Sequence, residues 1–184
     1  MSRRVYTFDG PDRFVAGTIG EPGGRTFFLQ ARKGGDVVSV ALEKTQVAVL
    51  AQQLDALLDI LADRGIEGVP AAADPDQLDD DPLGEPLVEA FRVGAMTLAW
   101  DGEHDRVVIE AAAVPDDGEA SPDDVEDDAD GPDLVRIRID GPTARAFVDR
   151  ATRVVAAGRP LCPRCGEPLD PHGHICARPN AYLN

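Results

Sequence analysis

The sequence predicts an α+β fold made of two similar units, each with three strands followed by a helix. In both halves, segments with alternating apolar residues, typical of strands, precede a segment with apolar residues three or four apart, typical of a helix. The segments of residues 1–65 also match those of residues 87–158 in order. We therefore expect an internal repeat with antiparallel sheets, its two copies related by a pseudo-two-fold axis.

The first half is predicted to be a meander followed by a helix. Turns rich in glycine separate its alternating segments, which cover residues 4–8, 13–19, 25–32 and 37–43. The spacing then predicts a helix over residues 45–63, with Thr45 as its N-cap. One apolar stripe of this helix is expected to cover the sheet: Val47, Leu50, Leu54, Leu57, Leu58 and Leu61.

The second half repeats this order. Strands are expected over residues 88–100, 106–113 and 134–140, and a helix over residues 143–157. The first of these strands contains Gly94, where we expect a break or a bulge. The helix places four apolar residues on one face: Phe147, Ala151, Val154 and Val155.

The net charge of −16 is concentrated in two segments. Residues 116–133 hold ten Asp or Glu and residues 74–89 hold seven, so the rest of the chain is close to neutral. We expect residues 66–86 to be a flexible linker and residues 115–133 a solvated acidic loop. The alternative is an arm that docks on a basic partner or mimics nucleic acid. Binding to nucleic acid itself is disfavoured, because phosphates repel such loops.

The strongest chemical signal is a group of cysteines and histidines near the end of the sequence. Cys162 and Cys165 are two residues apart, with proline between them and glycine after them, which is the spacing of a tight turn that directs both thiolates to one ion. His174 and Cys176 complete a Cys₃His set, a usual closed set for structural zinc, with His172 as a competing ligand. Residues 159–184 are therefore predicted to form a zinc-ribbon-like tail, and the metal would supply its folding energy.

Two alternatives to structural zinc stay open. A catalytic zinc would need one ligand position occupied by water, and thiols without metal, or a disulfide, would need no zinc at all. The His-x-Cys pair also departs from the usual ribbon, which has two Cys-x₂-Cys turns.

Arginines near a glycine-rich turn suggest a second candidate site. Arg13 and Arg25 flank the turn around residues 17–24, and Arg92 of the second half is a third candidate. We expect these arginines, if they bind a ligand, to hold a small anion in a cleft between the two halves. The turn itself has no Gly-Lys-Ser/Thr and precedes a strand, so it does not predict a phosphate-binding loop.

Several classes of protein are disfavoured. No apolar run is long enough to span a bilayer, and the start of the sequence does not resemble a signal peptide. Three clustered cysteines fit a reducing compartment better than a secreted disulfide scaffold, which predicts a cytoplasmic protein. We find no pairing of a nucleophile with a base, and His104 is interpreted as part of a solvated hairpin tip.

Three stretches together resemble an uncharacterised family of actinobacterial proteins, a domain of unknown function. They are residues 13–31, residues 38–44 and the ending from Cys162 to Cys176. The resemblance covers nearly the whole chain and implies a cytoplasmic actinobacterial protein. Members are encoded beside phosphomutase-like and phosphatidylinositol-kinase-like proteins, which implies a pathway that handles phosphoryl groups. The family provides no catalytic residues to carry over.

A metal set without a catalytic set favours a non-enzymatic binding or adaptor protein with a structural zinc site. Its partner is expected to be another protein. The alternative is an enzyme or sensor that acts on a small phosphorylated or otherwise anionic ligand. A third hypothesis, nucleic-acid binding by the tail, depends on Arg159, Arg164 and Arg178.

Overall fold

Seven strands and two long helices make up most of the part of the chain that the computed structural model describes, residues 3–115, 118, 121, 131–158 and 162–166. The mixed α+β class is therefore confirmed. The elements are β1 Val5–Asp9, β2 Arg13–Ile19, β3 Thr26–Lys33, β4 Asp36–Leu42, α1 Lys44–Asp63, β5 Glu89–Asp101, β6 Arg106–Ala113, β7 Leu134–Ile139 and α2 Gly141–Ala156.

The strands form one sheet in the order β1-β7-β6-β5-β4-β3-β2. The prediction of antiparallel sheets is wrong, because β1 runs parallel to β7 and β4 runs parallel to β5. The parallel pair β4–β5 arises because α1 and the segment after it form a long crossover between the two strands. The strand β1 does not join the predicted meander either, since its hydrogen-bonded neighbour is β7, which follows more than a hundred residues later in the sequence.

The sheet is strongly curled. The strands β1 and β2 lie at opposite ends of the strand order, yet only Gly10, Pro11 and Asp12 connect them. Seven strands laid flat would separate these edges by roughly 29 Å, whereas the connection reaches at most about 14 Å. This connection is attached to the β3–β4 turn, where the Asp12 side chain accepts a hydrogen bond from the Gly34 N–H (2.7 Å).

Curling makes the inner face of the sheet the core. Side chains from distant strands meet there, as shown by the ring centroids of Tyr6 and Phe91, which are 6.5 Å apart. The helices pack against this face, and Phe147 of α2 stacks on Phe14 of β2 at 4.5 Å. In α1 the predicted stripe is buried, except that Leu57 is only partly covered.

The strand β5 bends at the glycine that the sequence singled out. Its first part pairs with β4 and its second part with β6, and the register shifts between Val93 and Ala95. The side chain of Gln46 donates to the Val93 carbonyl (3.1 Å), so the start of α1 is attached to this bend. The same glutamine closes a capping box with Glu43, and Glu43, not Thr45, is the N-cap of α1.

After β1 the chain twice follows the order of three strands and a helix. The pseudo-two-fold axis stays a prediction. Phe14 and Phe147, which stack in the core, belong to different predicted halves.

Residues 66–86, called the strap below, lie along the body and are attached to it. The segment passes the start of α2, where Arg145 donates to the Pro70 carbonyl (2.8 Å). It then rounds the β2 edge and crosses the outer face of β2 and β3, where Gly84 contacts Gln30. The prediction of a flexible linker is therefore wrong for this segment. It shows no periodicity because side chains of the body, rather than a strand ladder, hold its backbone.

Candidate functional site

The most extensive polar cluster among the described residues joins the strap to β2 and α2. Asp79 accepts two hydrogen bonds from Arg13, at Nε (2.5 Å) and Nη2 (2.9 Å), and one from Arg150 Nη1 (2.7 Å). The side chains of the two arginines are only 14% and 8% exposed. One carboxylate is therefore held between two largely buried guanidinium groups. The favourable pairing compensates these groups for their loss of solvation.

The same arginines also bind backbone carbonyls. Arg150 donates to the carbonyls of Ala16 (2.7 Å), Asp79 (2.5 Å) and Asp81 (2.7 Å), and Arg13 donates to that of Asp81 (2.8 Å). The contact with Ala16 occupies an acceptor on the β2 edge strand, which would otherwise be open to another strand. The cluster therefore fixes the strap and protects a sheet edge.

The pKa values follow this pairing. Hydrogen bonding from Arg13 lowers the pKa of Asp79 and outweighs the opposing effect of burial. The hydrogen bond to Asp79 likewise raises the pKa of Arg13. Burial lowers the pKa of Arg150, with Asp79 acting in the opposite direction. All three groups remain charged at neutral pH, so none is poised to exchange a proton there.

Neutral groups hold the next part of the strap. The Gln30 side chain accepts from the Gly84 N–H (2.7 Å) and donates to the Gly84 carbonyl (2.9 Å) and to Ser39 Oγ (3.0 Å). Beside it, Leu83 packs directly over Gly17, where an added Cβ would come within 2.6 Å of the leucine side chain. Only glycine at position 17 permits this close approach.

A cavity of about 390 Å³ opens beside this cluster at the start of α2. Arg13 and Arg150 line it together with three carboxylates, those of Asp12, Asp79 and Asp140. The Asp140 carboxylate already caps α2 by accepting from the Thr143 N–H (2.9 Å). Acidic groups outnumber the arginines here, so the cavity offers no net positive charge to an anion.

The three arginines predicted to bind an anion do not converge. Arg13 begins β2, whereas Arg25 precedes β3 at the opposite end of that hairpin, where it donates to the Ala157 carbonyl and lies 5.8 Å from the Phe27 ring. Arg92 is on β5, where it pairs with Glu43 (2.7 Å). One cleft shared by these three arginines is therefore not present, and a ligand role for each of them stays a prediction.

The predicted metal ligands are only partly within the described residues. Cys162 and Cys165 belong to a turn, in which the Gly166 N–H donates to the Cys162 carbonyl (2.9 Å) and Gly166 has a φ of +75°. Cys162 is buried and Cys165 is half-buried, and no disulfide joins them. His172, His174 and Cys176 lie outside the described residues.

The backbone of the Cys162–Gly166 turn forms a closed loop. A hydrogen bond from the residue after the second cysteine to the first cysteine closes the loop, and the left-handed φ of Gly166 suits a residue without a Cβ. Within the described residues, no group of three or more His, Cys, Asp or Glu side chains is placed to hold a metal. These residues therefore supply two of the four predicted ligands.

His104 shows the arrangement expected of a hairpin tip. Its Nδ1 lies 2.8 Å from Asp101 Oδ2, and its side chain is 71% exposed. Hydrogen bonding to His104 lowers the pKa of Asp101. This exposed pair has no nucleophile among its hydrogen-bond partners, and we assign it no chemical role.

Sequence reasoning missed Asp79, Arg150 and Gln30, which fix the strap. Asp79 stands in a run of three aspartates, so its type and position do not distinguish it from Asp80 and Asp81. Arg150 is adjacent to Ala151 on the packed side of α2, and a charged residue at such a position was a usable signal that a carboxylate covers it.

Within the described residues, no helix is both long enough and apolar enough to cross a membrane. Comparison with curated proteins and with solved structures finds no significant match. A protein-family model does match, over residues 6–176, a range that includes all four predicted zinc ligands. The chain therefore belongs to DUF3090, a family of proteins of unknown function.

Proposed function

We propose that this protein is a non-enzymatic binding or adaptor protein whose C-terminal segment is held by one structural zinc ion. The observation that carries the proposal is the closed turn of Cys162–Gly166, with a buried Cys162 and the Gly166 N–H on the Cys162 carbonyl. Cys162, Cys165, His174 and Cys176 would hold the metal. His172 is the alternative to His174.

The chemistry of this donor set fits a structural role. Three thiolates and one imidazole fill a tetrahedral zinc shell and leave no position for water or substrate. Bound zinc would supply the free energy that a short segment cannot obtain from a core of its own.

The body supports the non-enzymatic reading through the use of its charged groups. Arg13, Asp79 and Arg150 fasten the strap, and Arg145 binds Asp55 and Asp59 of α1 (2.6 and 2.7 Å). On the outer face, Glu110 accepts from Arg136 (2.5 Å) and from Thr97 (3.1 Å). These groups are engaged in contacts that stabilise the fold.

Zinc content measured by native mass spectrometry and by elemental analysis tests the proposal. The full-length protein, expressed with zinc in the medium, is expected to contain one zinc ion per chain, and Cys165→Ser is expected to lose it. His172→Ala and His174→Ala form a matched pair, of which one is expected to lose zinc and the other to keep it. Wild-type protein without zinc, or zinc retained in Cys165→Ser, would refute the metal site.

The adaptor role needs a test of its own. Tagged protein in a lysate of its own host is expected to capture another protein after cross-linking. Capture should weaken in Cys165→Ser if the partner binds the segment that zinc holds. A wild-type protein that captures no partner while holding its zinc would refute the adaptor role and leave the metal site standing.

A ligand-binding function is the second candidate. Arg13 and Arg150 both line the cavity of about 390 Å³ at the start of α2. A sensor or enzyme for a small phosphorylated compound would use this cavity. Thermal-shift screening against phosphorylated metabolites tests it, and the absence of any stabilising compound would remove it.

The internal repeat and the location of the protein are proposed as well. We infer that the segments β2–α1 and β5–α2 are two copies of one ancestral unit, since each has a glycine in its first strand, Gly17 and Gly94, and ends in a helix. We also propose a cytoplasmic location, because thiolate ligands stay available in a reducing compartment.

A further inference from the structure

An uncharged groove runs between α1 and β5. Val49, Leu50 and Gln53 form one wall, and Gly94, Met96 and Leu98 form the other, around a volume of about 310 Å³. No charged side chain lines this groove, although the chain carries a net charge of −16. It is called the α1–β5 groove below.

An apolar stripe on α1 borders the groove. Val49, Gln53, Ala56 and Ile60 recur at helical spacing on the exposed side of the helix, with Val49 53% and Ile60 50% exposed. A buried helix face is expected to be apolar, but this stripe lies on the face directed away from the core. Exposed apolar side chains beside an apolar hollow are typical of an interaction surface.

The acidic residues of α1 are turned away from this surface. Asp55 and Asp59 bind Arg145 of α2, at 2.6 and 2.7 Å. The stripe therefore remains uncharged from Thr45 to Ile60 and meets its first charge at Asp63, in the last turn of the helix.

This distribution of charge fits an antiparallel second copy of α1. A carboxylate at the C-terminal end of a helix is unfavourable. At the N-terminal end of α1, the Glu43 carboxylate is paired with Arg92 and followed by Lys44, so these three groups together carry a net positive charge. In an antiparallel pair, Asp63 of each copy would lie beside the N-terminal turn of the other helix, where a negative charge is favourable. The groove and the stripe share one face, so each copy offers both the hollow and the ridge that a two-fold interface requires.

We propose that the protein forms a two-fold homodimer through the α1–β5 groove, with the two α1 helices antiparallel and the Val49–Ile60 stripe of each copy seated against the groove of the other. The axis passes close to Gln53, near the middle of α1, so that Asp63 of each copy lies beside the N-terminal end of the other helix. The proposal goes beyond the adaptor function and does not depend on zinc.

The dimer has an unusual salt dependence. Two bodies that each carry a net charge of −16 repel one another, while the contact itself is apolar. Raising salt from about 0.03 M to about 0.3 M NaCl screens the repulsion and is expected to strengthen dimerisation. An interface made of ion pairs would weaken over the same range.

Sedimentation equilibrium of the full chain tests the proposal, with native mass spectrometry as a check on mass and zinc content. Wild-type protein is expected to dimerise with a micromolar Kd. Val49→Glu and Ile60→Glu are each expected to weaken dimerisation by at least about tenfold, because they bury a charge without a partner. Val88→Glu is the matched control, since Val88 is 69% exposed away from the groove, and this variant should dimerise like the wild type.

Position 53 tests the two-fold axis itself. Gln53→Glu and Gln53→Lys are each expected to be monomeric, because like charges meet across the axis. A mixture of the two variants is expected to form the heterodimer, because opposite charges then meet. Circular dichroism confirms that each variant is folded. A monomeric wild type at all salt concentrations, dimerisation unaffected by Val49→Glu, or no heterodimer in the mixture would overturn the proposal.

Discussion

The strap, apart from a short 3₁₀ helix at Pro75–Gln77, and the Cys162–Gly166 turn both lack strands and α-helices, but the body holds the strap at many points. The strap receives hydrogen bonds from Arg13 of β2, from Gln30 of β3, and from Arg145 and Arg150 of α2. The turn is closed by one described backbone hydrogen bond of its own. The position of the strap is therefore encoded in side chains of the body, whereas the role proposed for the turn depends on an external ligand, zinc.

The largest expected effect is the loss of Arg150, because its removal leaves Asp79 and three backbone carbonyls with fewer donors. Arg150→Ala is expected to lower the free energy of unfolding by about 3–5 kcal/mol. Arg153→Ala is the control, since Arg153 is 46% exposed and pairs with exposed carboxylates. That variant should lose less than about 1 kcal/mol. Denaturant unfolding measures both losses. Equal losses would contradict the view that Arg150 fixes the strap to the body.

The contact of Leu83 with Gly17 is expected to have the next largest effect. Gly17→Ala forces the strap outwards and is expected to cost about 1–3 kcal/mol. Leu83→Ala makes room for the new methyl group, so the double variant should lose less than the sum of the two single variants. Gly24→Ala is the control, because an added Cβ there meets nothing within 4 Å. Strict additivity would show that the strap does not press on Gly17.

The pH dependence of the free energy of unfolding distinguishes the charged attachment of the strap, through Asp79, from its neutral attachment, through Gln30. The pKa of Asp79 is lowered in the folded protein, so its stabilising contribution is complete above about pH 4, the ordinary value for an aspartate. The contribution is lost as the pH falls through the lowered pKa.

Asp79→Asn is therefore expected to be less stable than the wild type at pH 7, with a difference that shrinks below about pH 4. Unfolding in urea at a series of pH values measures this. Asp80→Asn, next in the sequence and paired with the exposed Arg153, should follow the wild-type curve closely. A constant difference between Asp79→Asn and wild type down to pH 2 would count against the pairing.

The smallest expected effect is that of zinc removal on the thermal stability of the body. Chelation is expected to leave the melting temperature of the body nearly unchanged, because its core is formed by the sheet, α1 and α2. Protease cleavage after residue 158 should in contrast become faster, which mass spectrometry of the fragments would show. Loss of the whole cooperative transition on chelation would mean that the metal supports the body as well.

Much of the local structure could be predicted from the sequence, because hydrophobic periodicity and glycine placement act over short distances. The α1 stripe from Val47 to Leu61 and the bend of β5 at Gly94 are examples. The pairing of β1 with β7 could not be predicted, since it joins Val5 to Leu134 and no local pattern specifies that neighbour.

The attachment of the strap to the body could not be predicted from the sequence for a different physical reason. Apart from the bonds to the Asp79 carboxylate, most hydrogen bonds of the strap run between side chains of the body and its own backbone, and backbone groups are the same at every position of a sequence. The run Asp79–Asp81 also favoured a solvated loop, because a cluster of carboxylates usually remains in water unless arginines cover it. Of the candidate metal centre, the spacing of Cys162 and Cys165 predicted the turn that the structure contains.

The ratio of zinc to protein in freshly purified full-length chain, compared with Cys165→Ser, tests the central claim most directly. The proposal predicts one zinc ion per wild-type chain and none in the variant, with the same folded body in both. A wild-type chain without zinc, although zinc was supplied throughout expression and purification, would contradict it.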